Sequence, residues 1–344
     1  MQYINFAGTG IKVSRLCLGT ANFTDDEVPY KTVADRNTRF ALLDQFREQG
    51  GNFVDAADIY GSEIVLGEYM RERSCRSDLI IGTKFGYQRD TNLNYNGNNK
   101  INIRTAVERS LQRLKTDYID IVYSHIQDRY ASTADFLEAV EPLVSSGKVL
   151  YVGLSNWEPW RIVQALYEGG SRFIKAIQCE YNLLNNEAEF EYGNLAREFG
   201  LQCMAYSTSL HGVLLGRYDE NQIRQFFPRI AHRARDISRI VAILRSISRE
   251  LSQSPSELLL HHCSSRGFLP VIGVSDAEQL RTSLACVRNT VADDVLGKLH
   301  ELTRSASYPY DIFASAEYDA QVYGNRSSDI LSSPAELYSQ EGAP

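Results

Sequence analysis

A chain of 344 residues, 43% hydrophobic and 23% charged, has the composition of a soluble globular protein with material for a large core. Its formal net charge of −7 speaks against nucleic acid or an anionic membrane as the main partner. No apolar run nears the length of a bilayer span, and Met1 to Ser14 lacks a signal peptide's apolar core, so a cytoplasmic protein is expected.

At the start of the chain, Tyr3 to Phe6 and Ile11 to Val13 flank Gly8-Thr9-Gly10, which reads as a β-hairpin with a glycine turn, suited to plug a barrel floor. Short runs rich in branched and aromatic residues then alternate with longer segments of helical period, the mark of repeated βα units around a parallel sheet. Eight strands are expected: Arg15 to Leu18, Asn52 to Asp55, Leu79 to Lys84, Ile119 to Ser124, Tyr151 to Ser155, Ala176 to Cys179, Gln202 to Tyr206 and Leu269 to Ile272. Helical stretches such as Asn37 to Gln49, Ile103 to Leu114, Thr133 to Ser146 and Gly193 to Phe199 lie between them. Two domains would be ordinary at this length, but α/β barrels reach it as one unit, and residues 1–344 are read as a single (β/α)8 TIM barrel.

The long departure from the repeat is Thr208 to Asp236, read as a functional loop after the seventh strand. From Arg217 to Arg249, eight arginines stand against Asp219, Glu220 and Asp236; this is either a solvated helix face or a cationic lid over phosphates. Residues 305–344 form a C-terminal extension. Its Tyr308, Tyr310, Phe313, Tyr318 and Tyr323 are expected to pack on the barrel mouth, and its Ser-, Glu- and Pro-rich end to be loose. The six cysteines are scattered without a C-x-x-C pair and read as reduced, buried thiols. The six histidines lack metal-ligand spacing, so no metal is expected.

Four polar residues fall at the carboxyl ends of successive strands or just beyond: Asp55, Tyr60, Lys84 and His125. In barrels the chemistry sits at that end. A tyrosine that donates a proton near neutral pH needs its pKa lowered by about two or three units, roughly 3 to 4 kcal/mol. One desolvated ammonium held close to the phenol can supply this; a solvated surface pair cannot. Asp55 would keep Lys84 charged and oriented, and His125 would add a second donor where charge develops on a substrate oxygen. Taken singly, each has a blander reading: a cap, a solvated lysine, a satisfied core histidine. Phe23, Phe85, Gln127 and Trp157, with Tyr87 and Trp160 near them, are candidates to contact substrate, the alternative being ordinary packing at the mouth. Gly19-Thr20 closes the first strand where a glycine allows close approach of a ligand.

From about Met1 to Val287 the chain resembles the aldo-keto reductase superfamily. Asp55-Ala56-Ala57-Asp58-Ile59-Tyr60-Gly61-Ser62-Glu63, Thr83-Lys84-Phe85-Gly86 and Asp117 to His125 are similar to its catalytic motifs. Gly153 to Trp157 and Gln178 to Asn182 resemble the segments that hold a nicotinamide carboxamide, and Tyr206 to Tyr218 resembles the family's Y-S-P-L-x-x-G-L-L-T-G-K-Y loop without a gap. The resemblance implies an NADPH-dependent reductase of a small aldehyde or ketone. It makes Asp55, Tyr60, Lys84 and His125 catalytic. It places Gly19, Thr20, Asp55, Ser155, Asn156 and Gln178 beside the cofactor, Tyr206 on the nicotinamide ring, and Ser207, Leu210, Gly212 and Arg217 on the diphosphate. Gly273, Ser275 and Gln279 would meet the 2′-phosphate and adenine. There the chain departs from relatives that carry a basic residue beside the serine; Val274 stands in that place, and Arg281 is the nearest cation.

Two other readings compete. On the same barrel Lys84 could form a Schiff base in a lyase or aldolase. The site could also serve a nucleotide-sensing regulatory subunit, as in the potassium-channel beta subunits. A bulky polar ketone as substrate is suggested by the Asn-rich loop Asn92 to Lys100 and the aromatic C-terminal segment.

Overall fold

The structure, a computed structural model, describes residues 1–24, 33, 35–88, 91–287, 289 and 291–303. The expectations for 305–344 lie outside the described residues. Met1–Thr303 forms one compact unit.

The chain opens with an antiparallel hairpin of β1 (Tyr3–Asn5) and β2 (Lys12–Ser14), joined by a tight turn over Phe6–Gly8. Eight parallel strands follow: β3 (Cys17–Gly19), β4 (Phe53–Asp55), β5 (Ile80–Phe85), β6 (Ile119–Ser124), β7 (Val149–Ser155), β8 (Ile174–Glu180), β9 (Gln202–Tyr206) and β10 (Leu269–Gly273). They pair in chain order, and β10 returns to β3 with Val271 opposite Cys17 and Gly273 opposite Gly19, closing the barrel. The outer layer holds α1 (Arg36–Glu48), α2 (Ser62–Arg73), α3 (Lys100–Leu114), α4 (Thr133–Ser145), α5 (Pro159–Tyr167), α6 (Asn194–Phe199), α7 (Glu220–Phe226), α8 (Ala234–Leu251), α9 (Pro255–Ser265), α10 (Ala277–Ala285) and α11 (Asp293–Thr303).

Local chemistry sets the helix starts. Asp35, Asn99 and Ser132 cap α1, α3 and α4, their side chains accepting from Thr38 N, Asn102 N and Asp135 N. Ser254 and Glu257 form a reciprocal capping box on α9, with Pro255 at its first position.

The barrel interior is filled by Phe6, Val13, Cys17, Phe53, Ile121, Tyr123, Ala176, Met204, Leu269 and Val271. Phe6 and Val13 come from the hairpin, and Phe6 meets Phe53 edge-on at 5.7 Å, so the hairpin does plug the floor. A larger apolar layer separates the sheet from the helices, and a further cluster lies under α8, α9 and α11.

The stretch Thr208 to Asp236 departs from the irregular loop expected. It contains α7, a short 3-10 turn at Pro228–Arg233 and the start of α8. The signal was present in the sequence: Asp219 and Gln222 form a capping box at the head of α7. Without a long apolar stripe behind it, that box is easily overlooked.

Candidate active site

The centre of the barrel mouth holds a charge pair. Asp55 ends β4 and Lys84 is the penultimate residue of β5; both are buried, Lys84 to 1% exposure. Lys84 Nζ is salt-bridged to Asp55 Oδ2 and donates to Ala56 O at 2.9 Å. Gln178 Nε2, from β8, donates to Asp55 Oδ1 at 2.9 Å. An ammonium at this depth is tolerable only with such partners, since an unpaired buried ion costs several kcal/mol.

Tyr60 lies in the turn between β4 and α2, where Gly61, with φ of 75°, swings the chain into the helix. The Tyr60 hydroxyl is 3.3 Å from His125 Nε2, and Lys84 Nζ is 5.2 Å from the centre of the Tyr60 ring. His125 follows β6 directly, held by its own N–H donating to Phe85 O at 2.7 Å. Tyr87 stands edge-on to the imidazole with ring centres 4.6 Å apart.

Burial, and secondarily the charge of Lys84, holds the His125 imidazole down at about 2. It is therefore neutral, with a single N–H. Nδ1 is buried with no hydrogen-bond partner among the described residues, so the proton is assigned to Nε2, which faces Tyr60 and the cavity. This has a stability consequence. An unfolded histidine titrates near about 6.5, so the folded state is favoured in full above that value and loses ground as pH falls from there toward about 2. Relative to a His125→Gln variant, the wild-type chain should lose on the order of 2 kcal/mol between about pH 6.5 and 4.5. Urea midpoints of the two proteins across that range measure it; parallel pH curves would contradict a buried neutral imidazole.

From this centre a cavity of about 1160 Å³ extends over the carboxyl ends of the strands. Its walls include Gly19, Asp55, Tyr60, His125, Ser155, Asn156, Gln178 and Tyr206, then Ser207, Leu210, Gly212 and Arg217, and at the far end Gly273, Ser275 and Gln279. Asn156, in the left-handed region with φ of 56°, donates to His125 O and Ser155 Oγ at 3.0 Å each, and accepts from Tyr206 OH at 2.8 Å. Burial pushes the Tyr206 phenol up, so it stays neutral. The turn that follows has positive φ at Ser207, Leu210, His211, Gly212 and Gly216. Its Leu210 and Gly212 amides donate within the turn, to Ser207 O at 2.9 Å and Ser209 O at 3.1 Å, leaving side chains such as Ser207 and Arg217 as its polar offering to the cavity.

Several expected contacts fall elsewhere. Lys84 sits beneath the cavity wall rather than on it. Thr20 is fully buried, its hydroxyl donating to Asp55 O and accepting from the Ser62 hydroxyl, which ties β3 to β4 and α2. At Gly19 a Cβ would lie 3.0 Å from Val271 Cγ1 and 3.2 Å from Ile272 O, so packing against β10 also restricts that position. Arg281 is exposed, off the cavity and ion-paired with Glu278.

Of the six candidates to contact substrate, Tyr87 lines the cavity and Phe23, Phe85, Gln127, Trp157 and Trp160 do not. Side chains alternate along a strand, so Phe85, next to inward-facing Lys84, turns outward into the layer beneath the helices. Phe23 lies in that layer too, and Trp157 packs on Phe136 while donating to Ser124 Oγ at 2.9 Å. Gln127 is engaged with Glu158 at the rim. Tyr87 faces the cavity beside His125.

The cavity also takes in Asn22, Asn182, Arg229 and Arg233. Asn182 belongs to the segment resembling a nicotinamide site, but its side chain accepts from Leu184 N at 2.9 Å and Asn185 N at 3.0 Å, so it shapes its own loop. Of the eight arginines, Arg217, Arg229 and Arg233 line the cavity, Arg224 pairs with Glu220, and Arg245 donates to Gly216 O. All six cysteines are free and buried. Among the described residues no helix is long and apolar enough to cross a membrane.

Residues 15–304 match the family described as the aldo/keto reductase family. An uncharacterized oxidoreductase of Bacillus subtilis is 31% identical over 322 residues, covering 88% of this chain and 96% of its own. Norsolorinic acid reductase B of Dothistroma septosporum is 26% identical, covering 90% of this chain and 82% of its own. A putative aryl-alcohol dehydrogenase of Saccharomyces cerevisiae is 36% identical over a shorter match, 56% of this chain and 54% of its own. The chain belongs to the aldo-keto reductase family, oxidoreductases that act on small carbonyl compounds with a nicotinamide dinucleotide.

Proposed function

We propose that the protein reduces an aldehyde or ketone to the alcohol with NADPH, Tyr60 giving the proton. The observation that carries the reading is the meeting of the Tyr60 hydroxyl and His125 Nε2, 3.3 Å apart, with the Lys84 ammonium 5.2 Å from the Tyr60 ring.

The donor set fits a nicotinamide dinucleotide. Asn156, Gln178 and Ser155 offer amide and hydroxyl groups to a carboxamide, Tyr206 an aromatic face, and Ser207 and Arg217 donors to a diphosphate. When bound, the reduced nicotinamide supplies the hydride. The chain's part is electrostatic. Tyr60 O–H is donated to the carbonyl oxygen as negative charge develops there, and His125 Nε2–H is the second donor to it. The phenolate left on Tyr60 is stabilised by Lys84, which Asp55 holds charged and in place. NADPH rather than NADH is supported by the arginines on the cavity wall, although Ser275 and Gln279 at its far end bring no positive charge. An aryl substituent on the substrate is favoured by Tyr87 at the mouth and by the name of the aryl-alcohol dehydrogenase relative.

Loss of reduced-nicotinamide absorbance with a panel of aryl and alkyl carbonyls tests the reading; no turnover with any of them would overturn it. The Schiff-base alternative is disfavoured because Lys84 is fully buried and already salt-bridged, whereas an amine nucleophile must be neutral and within reach of substrate. Arg217→Ala should weaken NADPH binding about tenfold, the worth of one charge-assisted hydrogen bond, and leave kcat at saturating cofactor unchanged. Fluorescence titration measures the affinity.

A further inference from the structure

Beneath the Asp55–Lys84 pair the barrel is filled by an aromatic ring that the chemistry above does not use. Tyr123 is wholly buried, and along β6 it shares with Ile121 the face turned to the barrel interior. Its ring occupies room left by two glycines. A Cβ on Gly153 of β7 would lie 2.2 Å from two ring carbons of Tyr123, and one on Gly82 of β5 would lie 3.1 Å from a third. No other residue type at 153 is compatible with the ring where it stands. The Tyr123 hydroxyl donates to Met204 Sδ on β9 at 2.9 Å, so the side chain crosses the lumen from β6 to β9. Lys84 Nζ lies 5.9 Å from the centre of this ring and 5.2 Å from that of Tyr60. The ammonium is thus flanked by two tyrosines, one at the cavity and one in the sealed interior.

We propose that Tyr123 is a positioning residue: its ring is the dry floor that holds the Lys84 ammonium against the Tyr60 phenol. This rests on the reading of Tyr60 as proton donor. A charge acts on a neighbour in inverse proportion to the local dielectric, so water admitted below Lys84 weakens its hold on Tyr60 without moving either residue. Tyr123 is suited to the task because it adds no charge of its own: burial, then the nearby Asp55 carboxylate, push its phenol well up and keep it neutral. The other ionisable groups around the ammonium are Asp55 on β4, Cys17 on β3, Tyr60 and His125. Of these the buried Cys17 thiol is also pushed up and His125 is neutral.

The test uses Tyr123→Leu and Tyr123→Met, which remove the ring, and Tyr123→Phe, which keeps it and loses only the bond to Met204. Titration of the Tyr60 ring carbon by NMR, in protein labelled at tyrosine and assigned with Tyr60→Phe, reads the phenol without requiring turnover. The pH profile of kcat/KM for alcohol oxidation reads it through activity. In both ringless variants the Tyr60 titration and the profile should move up by about one pH unit, and Tyr123→Phe should stay with wild type. A ringless variant that is folded by circular dichroism and titrates as wild type overturns the proposal, as does a Tyr123→Phe variant that shifts as far as Tyr123→Leu. If the wild-type protein turned over no carbonyl yet the Tyr60 resonance moved as stated, the functional reading would fail while the role of Tyr123 stood.

Discussion

Tyr60→Phe is expected to lower the rate of carbonyl reduction by about 10²- to 10⁴-fold, the range for loss of a positioned general acid, with NADPH affinity close to wild type. The substitution deletes only the hydroxyl. The phenyl ring retains its edge-on contact with His125 at 5.7 Å and its place 5.2 Å from Lys84 Nζ, so the turn before α2 has no reason to move. The carbonyl oxygen keeps the His125 Nε2–H as a hydrogen-bond donor. That imidazole cannot replace the acid, because giving up its one proton would leave an anion in a buried site. Steady-state rates with a reactive aldehyde, beside a fluorescence titration of NADPH, separate the two effects. Full turnover in this variant would remove Tyr60 from the chemistry.

Lys84→Met has the second large effect, and it acts on stability as well as rate. The substitution leaves the Asp55 carboxylate buried with Gln178 Nε2 as its hydrogen-bond donor, and removing one partner of a buried pair costs about 3–5 kcal/mol. The rate should fall together with it, by on the order of 10²-fold or more, because the phenolate on Tyr60 loses its counter-charge. The double variant Lys84→Met with Asp55→Asn separates these. Neutralising both members removes the orphaned charge, so unfolding midpoints should recover most of the loss while activity does not return. Recovery of activity in the double variant would mean that Lys84 serves only to balance Asp55.

The barrel was legible along the chain because its two periodicities differ. Branched runs such as Ile119 to Ser124 and Gln202 to Tyr206 appear as strands with the bounds expected, whereas α3 begins at Lys100, ahead of the expected Ile103, because the Asn99 cap starts it earlier than the apolar period shows. Strand ends in such a barrel converge on one mouth, so the order of Asp55, Lys84 and His125 along the chain already implied that they meet. The aromatic wall of the cavity was legible only in part. Phe85 and Tyr87 are both aromatic and two residues apart, yet Phe85 sits in the layer under the helices and Tyr87 leaves the strand to face His125. Which way a residue turns after a strand ends depends on the loop's dihedral angles, and composition does not encode them.

The pattern of apolar spacing carried the architecture, because it depends on short-range preferences repeated eight times around one sheet, and the motifs at the strand ends carried the resemblance to the family and to the four groups at its centre. Contacts across the lumen and between loops came from closure of the barrel: the neutral state of His125 and the ring of Tyr123 lodged over Gly82 and Gly153. Each arises from residues far apart in the chain brought within a few ångströms of one another, where burial and packing volume, rather than local preference, set what a side chain can touch and which charge it can bear.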